Sequence, residues 1–172
     1  PIDEEIKQSR FRNDSDRLFI NLVYTSNYIM HRMSVVLKGY GALTLQQYNI
    51  LRILRGQKGT PLPMHEVKSR MLDRNSDVSR IIDRMVRKGL ITRTTCAQDR
   101  RQVDLLLAPR GASLLEAIEP EVQRLMQPLE LVLPPEQLRH FSDALDRMRA
   151  LLPTQAAEVT PAPAGRSRAG RG

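Results

Sequence analysis

Between Met64 and Leu107 the spacing of apolar residues changes once, and that change restricts the fold more than any other feature of the chain. Val67 and Met71 share one face of a helical stretch predicted over Met64 to Leu72. Asp73, Asn75 and Ser76 offer competing N-caps for a second helix, whose apolar set Val78, Ile81, Ile82 and Met85 runs to a stop at Lys88-Gly89. Gly89 suits the position after the C-cap, and Arg87 and Lys88 complement the negative end of the helix dipole. From Leu90 the period becomes that of strands. Leu90 to Cys96 is rich in β-branched residues, 97–102 is a polar turn, and Val103 to Leu107 is a second β-like run. The expected product is two helices joined by a tight polar turn and followed by a hairpin with a basic tip.

The flanks are helical. Asn13, Asp14 and Ser15 supply caps for a long helix whose stripe, from Phe19 through Met33 to Tyr40, ends at Gly39 to Gly41. Thr44 and Gln47 form a capping box, and Leu43 and Tyr48 are placed as its hydrophobic staple, for a helix that stops near Gly56. After the hairpin, Pro109 and Gly111 are expected to interrupt the chain. The stripe from Leu114 to Met126 is crossed by Pro120, which should kink or restart it. Pro134-Pro135 opens a last helix with Leu138, Phe141, Leu145, Met148, Leu151 and Leu152 on one side. Residues 153–172 are rich in Pro, Gly, Ala and Arg and are expected to be disordered.

The predicted fold is therefore mainly α with a small β component. It divides into an N-terminal dimerisation helix (1–42), a helix, helix, hairpin lobe (43–109), C-terminal dimerisation helices (110–152) and a basic tail (153–172). Both terminal helical blocks are more apolar than a lone helix tolerates in water, so they call for a partner surface.

Charge narrows the function. Lys and Arg number 27 against 19 acidic residues, a formal +8 on 172 residues, which favours polyanionic partners. From Arg74 to Arg110 there are nine cationic and four acidic side chains, so most of the surplus lies in the hairpin and the helix before it. Aromatic residues are 4% and Trp is absent, which argues against binding single strands by stacking. A lone cysteine, Cys96, excludes an intramolecular disulfide and any multi-cysteine metal site. His31, His65 and His140 lack metal-ligand spacing, and neither a catalytic constellation nor a phosphate-cradling glycine loop is present. The expectation is a non-enzyme without cofactor or metal. No apolar run reaches signal-peptide or membrane-spanning length, so the chain is expected to be soluble and cytoplasmic.

The order of elements from Met64 to Leu107 is that of a winged helix-turn-helix, whose second helix enters the major groove while the hairpin reaches the neighbouring backbone or minor groove. The run from Leu72-Asp73-Arg74-Asn75-Ser76 to Arg87-Lys88-Gly89-Leu90-Ile91, with Asp99-Arg100-Arg101-Gln102-Val103 and Leu107-Ala108-Pro109-Arg110-Gly111, resembles the MarR family of bacterial transcription regulators. The motifs cover Leu43 to Gly111, and the flanking helices fit by arrangement. The resemblance implies a homodimer with interlocked terminal helices that presents two winged lobes to a pseudo-palindromic operator, commonly a repressor released by a phenolic or other acidic small molecule. Two departures stand out: Leu107-Ala108 replaces the frequent Leu-Thr, removing a hydroxyl cap, and Pro63 is a poor cap for the helix after it.

With Val78, Ile81, Ile82 and Met85 facing a core, Asn75, Ser76, Ser79, Arg80 and Arg84 become the candidate DNA contacts on the recognition helix and its first turn. The competing reading is a solvated face in which Arg80 and Arg84 pair with Asp77 and Asp83. On the wing, the resemblance gives Arg101 the minor-groove role. Asp99, two positions earlier, orients it, and Arg100 contacts phosphate. Tyr28, His31 and Tyr48 lie where the family often places an effector pocket, although Tyr and His at helix interfaces are more commonly just packed. Cys96 reads better as a small inert strand residue than as an oxidant sensor.

Double-stranded DNA and a second copy of the chain are thus the expected partners. Two rivals stand beside this reading. One is a winged-helix module that binds protein or RNA without reading DNA sequence. The other is membrane-surface binding by the tail, which is disfavoured because 156–169 lacks an apolar face.

Overall fold

The computed structural model describes residues 1–8, 10–95 and 103–151. In chain order they form α1 (Ile2–Glu5), α2 (Asp14–Lys38), α3 (Leu45–Arg55), β1 (Leu62–Pro63), α4 (Met64–Ser69), α5 (Val78–Arg87), β2 (Ile91–Thr95), β3 (Val103–Leu107), α6 (Pro109–Val132) and α7 (Pro135–Leu151). The predicted first and second helices are present with the predicted caps. Asn13 accepts from the Asp16 amide at the start of α2, and both hydrogen bonds of the Thr44/Gln47 capping box close the start of α3. Two elements escaped sequence reasoning: α1, which is a single turn, and β1, which is two residues long. Neither is long enough to display a period.

β1 matters because it extends the hairpin into a three-stranded antiparallel sheet of order β1-β3-β2, with β3 at its centre. Leu62 pairs with Leu105, and Ile91 pairs with Leu107. The buried side chains of the sheet, Leu62, Ile91 and Leu105, meet Val67, Met71, Ile82 and Met85 from α4, α5 and the turn between them, and Ile50, Leu51 and Leu54 from α3. Leu37 from the end of α2 and Leu115 and Ile118 from α6 enter the same core. The chain accordingly forms one compact unit over Pro1–Gln127 and a second from Pro128.

Several expectations need correction. The predicted helix Met64 to Leu72 ends at Ser69, with Arg70 as its C-cap and no side-chain cap at Pro63. None of Asp73, Asn75 and Ser76 caps α5. Asp77 does, accepting from the Arg80 amide, because Asp73 is already committed to the turn: it accepts from the Asn75 amide at 3.1 Å and from Ser76 Oγ at 2.8 Å. Leu90 stays outside β2. Its amide closes a Schellman motif onto Met85 O, with the Gly89 amide on Val86 O and Gly89 at φ +67°.

Pro109 and Gly111 do not interrupt the chain but open α6. Pro109 occupies the first helical position, where its missing N–H costs nothing, and Gly111 lets the helix ride over the Leu90 carbonyl. Pro120 neither ends nor restarts α6, which continues to Val132. Burial of Leu115 and Ile118 offsets the hydrogen bond that Pro120 removes. In the second unit, α7 has no buried residue; Leu138, Leu145 and Met148 are half-buried and Phe141 is exposed.

A candidate nucleic-acid interface

Helix α5, the expected recognition helix, is polarised by its own sequence. Val78, Ile81, Ile82 and Met85 are all buried, which leaves Ser79, Arg80, Asp83, Arg84 and Arg87 exposed along the opposite side at steps of one, three, one and three residues. The side chains on that face differ in what already engages them. Arg80 Nε lies 3.1 Å from Asp77 Oδ2, a contact between two well-exposed groups that is cheap to exchange for a phosphate. Ser79 Oγ points at Met64 Sδ, 3.8 Å away, a weak partner that leaves the hydroxyl available. Arg84 makes no ion pair among the described residues, and Asp83, expected as its neutralising partner, is paired with Arg93 of β2.

The Asp83–Arg93 pair went unnoticed in the sequence, although an Arg inside a β-branched run was the available signal. It takes the one acidic group of the exposed face and ties it to the strand that leads into the wing. The contact therefore fixes the wing's base against the recognition helix and removes a negative charge from the face at the same time.

Asn75 and Ser76, assigned by sequence to the first turn of the recognition helix, lie before it. Ser76 is half-buried with its hydroxyl given to Asp73, whereas the Asn75 side chain is exposed. The turn they occupy is held from α3 as well: Asn49 Oδ1 accepts the Leu72 amide at 2.9 Å, and Gln46 Nε2 reaches Asp73 at 3.4 Å. Hydrogen bonds from Ser76 Oγ, the Asn75 amide and Gln46 hold the Asp73 carboxyl below its ordinary pKa, the first of these contributing most. Asn49, Gln46 and Asp73 thus tie the turn between α4 and α5 to α3. Gln46 and Asn49 belong to no motif, and the part Asp73 plays here differs from the cap expected of it, so only the tertiary structure reveals the arrangement.

Asp99, Arg100 and Arg101, and also Cys96, lie outside the described residues. The effector candidates separate. Tyr28 and His31 are exposed on α2, while Tyr48 is buried in the lobe core with the Arg52 guanidinium 5.9 Å from its ring centroid. Among the described residues no group of three or more His, Cys, Asp or Glu side chains could hold a metal ion, and no helix is long and apolar enough to cross a membrane.

Residues 43–103, the stretch that carries this helix pair, the base of the wing and most of the core, match the model of the MarR family. Over this lobe the chain is similar to the MarR family. It is 24% identical over 136 residues to the homoprotocatechuate degradative operon repressor of Escherichia coli, covering 79% of this chain and 90% of that one. The structure of S. aureus MepR with DNA aligns with a TM-score of 0.69 and 25% identity, over 83% of this chain and all of MepR. NadR in complex with 4-hydroxyphenylacetate aligns with a TM-score of 0.64 and 24% identity, over 84% and 98% of the two chains. The family match thus falls on the winged lobe, while these relatives align over 79%, 83% and 84% of the chain.

Proposed function

We propose that this chain is a sequence-specific regulator of transcription, of the MarR type, that binds double-stranded DNA as a homodimer on a pseudo-palindromic operator. The observation that carries this reading is the exposed face of α5: Arg80, Arg84 and Arg87 stand beside Ser79 on a helix whose other side is locked into the core. A helix held this firmly by one face presents fixed donors to a groove, and cations on it supply the salt-dependent phosphate attraction. Arg101, oriented by Asp99, adds the minor-groove contact, Arg100 a phosphate contact, and Asn75 and Ser79 the base readout. MepR, whose structure is with DNA, and the E. coli repressor support the reading.

Dimerisation answers a separate requirement. α2 exposes Phe19, Val23, Tyr24 and Tyr28, and α7 exposes Phe141 and Leu151, each element leaving apolar area that water disfavours. A two-fold dimer covers such faces and sets the two recognition helices about 34 Å apart, one DNA turn. Release by a small aromatic acid fits the ligand of NadR and the operon controlled by the E. coli repressor. Tyr28 and His31 are the exposed candidates for that contact.

Selection of bound sequences from random duplex DNA tests the proposal: an inverted repeat should emerge. On that duplex, gel-shift titrations across salt should show Arg84→Ala and Arg101→Ala each weakening binding and lowering the salt slope by about one counterion. No enrichment of any duplex, or slopes unchanged in both variants, removes the DNA reading.

A further inference from the structure

Every described apolar side chain between Leu62 and Ile91 is buried or half-buried except one, Leu72, which is 86% exposed. Its exposure is imposed. The Leu72 amide donates to Asn49 Oδ1 at 2.9 Å, and the next residue, Asp73, is held by the Asn75 amide, Ser76 Oγ and Gln46 Nε2. The turn is therefore pinned on both sides of Leu72, while its neighbour Met71 takes the core position that a helical continuation would have shared between them. The result is a branched hydrocarbon held in water at the entrance to the recognition helix. Two residues away on either side lie the exposed cations Arg74, which makes no ion pair among the described residues, and Arg70, whose guanidinium donates to Glu66 Oε2 at 3.0 Å in a contact between exposed groups.

We infer that Leu72 is a specificity-determining residue that packs on the C5 methyl of a thymine in each operator half-site. The inference rests on the DNA-binding reading above and deepens it. Arg70 and Arg74 place the turn against a polyanion, and a duplex offers an aliphatic side chain one distinctive apolar target in the major groove, the thymine methyl. A sugar or phosphate contact by Leu72 would give no base preference, and a protein-binding role would leave binding indifferent to base identity, so the two are separable from the proposal by experiment.

The test uses the full chain and the duplex selected by it. Each thymine of the half-sites is replaced in turn by uracil, which removes only the methyl, and affinities are measured at one salt concentration for the wild type and for Leu72→Ala. Loss of one buried methyl should weaken the wild type about fourfold in one half-site and by the square of that in both. Leu72→Ala should bind thymine and uracil duplexes alike at that position, with an unchanged melting temperature because the side chain is exposed. The inference is overturned if no uracil substitution discriminates between the two proteins, or if Leu72→Ala loses affinity equally for every duplex. Failure to select any duplex at all defeats the DNA-binding reading itself and this inference with it.

Discussion

At Gly111 a missing carbon decides how α6 leaves the sheet. A Cβ there would sit 2.2 Å from the Leu90 carbonyl oxygen and 2.9 Å from Leu107 Cδ1, and the first of these is backbone that cannot step aside. Leu90 O also accepts the Ala108 amide at 3.1 Å, so this one carbonyl anchors the start of α6 to the end of the recognition helix. Gly111→Ala should lower unfolding free energy by about 1–3 kcal/mol in a denaturant titration, in line with overpacking elsewhere. Asp73 gives a second residue-scale test. Its native carboxyl holds a proton less tightly than the unfolded one, so the stability it lends is complete above the ordinary value of 3.8 and is lost as pH falls through the depressed value. An NMR titration should place the Asp73 midpoint below 3.8, and Ser76→Ala, which deletes the largest contributor, should move it upward.

At the scale of elements, the sequence located every long helix and both strands of the hairpin, but it misplaced ends wherever several side chains competed for one job. Caps for α5 were the clearest case. Three polar residues looked equivalent in sequence, and the choice fell to a fourth, Asp77, once Asp73 was drawn into the turn by Gln46 and Ser76. The same logic applied to Pro109 and Gly111, which punctuate a chain when viewed locally and here begin a helix because Leu90 lies where it does. Asp77 serves twice, as cap and as the partner of Arg80, and the two roles can be divided. Asp77→Asn keeps an oxygen for the Arg80 amide and deletes the charge, so stability should change by only a few tenths of a kcal/mol. DNA affinity should rise in low-salt gel shifts, since an acidic group beside Arg80 is removed; an unchanged or weaker affinity would place Asp77 away from the bound phosphates.

On the scale of the whole molecule, the question is what the exposed apolar faces of α2 and α7 meet. Phe19 on the first and Phe141 on the second are 65% and 50% exposed, and neither contributes to the core of the winged lobe. In the proposed dimer both rings leave water. Phe19→Asp and Phe141→Asp should each shift the mass measured by light scattering from two chains toward one, while the circular dichroism of the lobe is retained because its core lies elsewhere. Palindromic DNA should then bind with the affinity of a single half-site. A dimer that survives both substitutions would mean that other surfaces join the two copies.

The sequence by itself determined the lobe: the shift in apolar spacing at Leu90, the buried stripe of α5 and the concentration of Arg around it are local facts, and short-range periodicity dictates which face a helix or strand must hide. Through the apolar terminal helices it also raised the expectation of a partner surface. Tertiary structure alone decided which polar side chains were spent and which were left over. Asp83 is engaged by Arg93, Asp73 by Gln46 and Ser76, and the Leu72 amide by Asn49, while Leu72 itself faces outward. These pairings join residues up to 27 positions apart. A hydrogen bond over such a separation depends on where the intervening core has carried the backbone, and no rule of spacing contains that information.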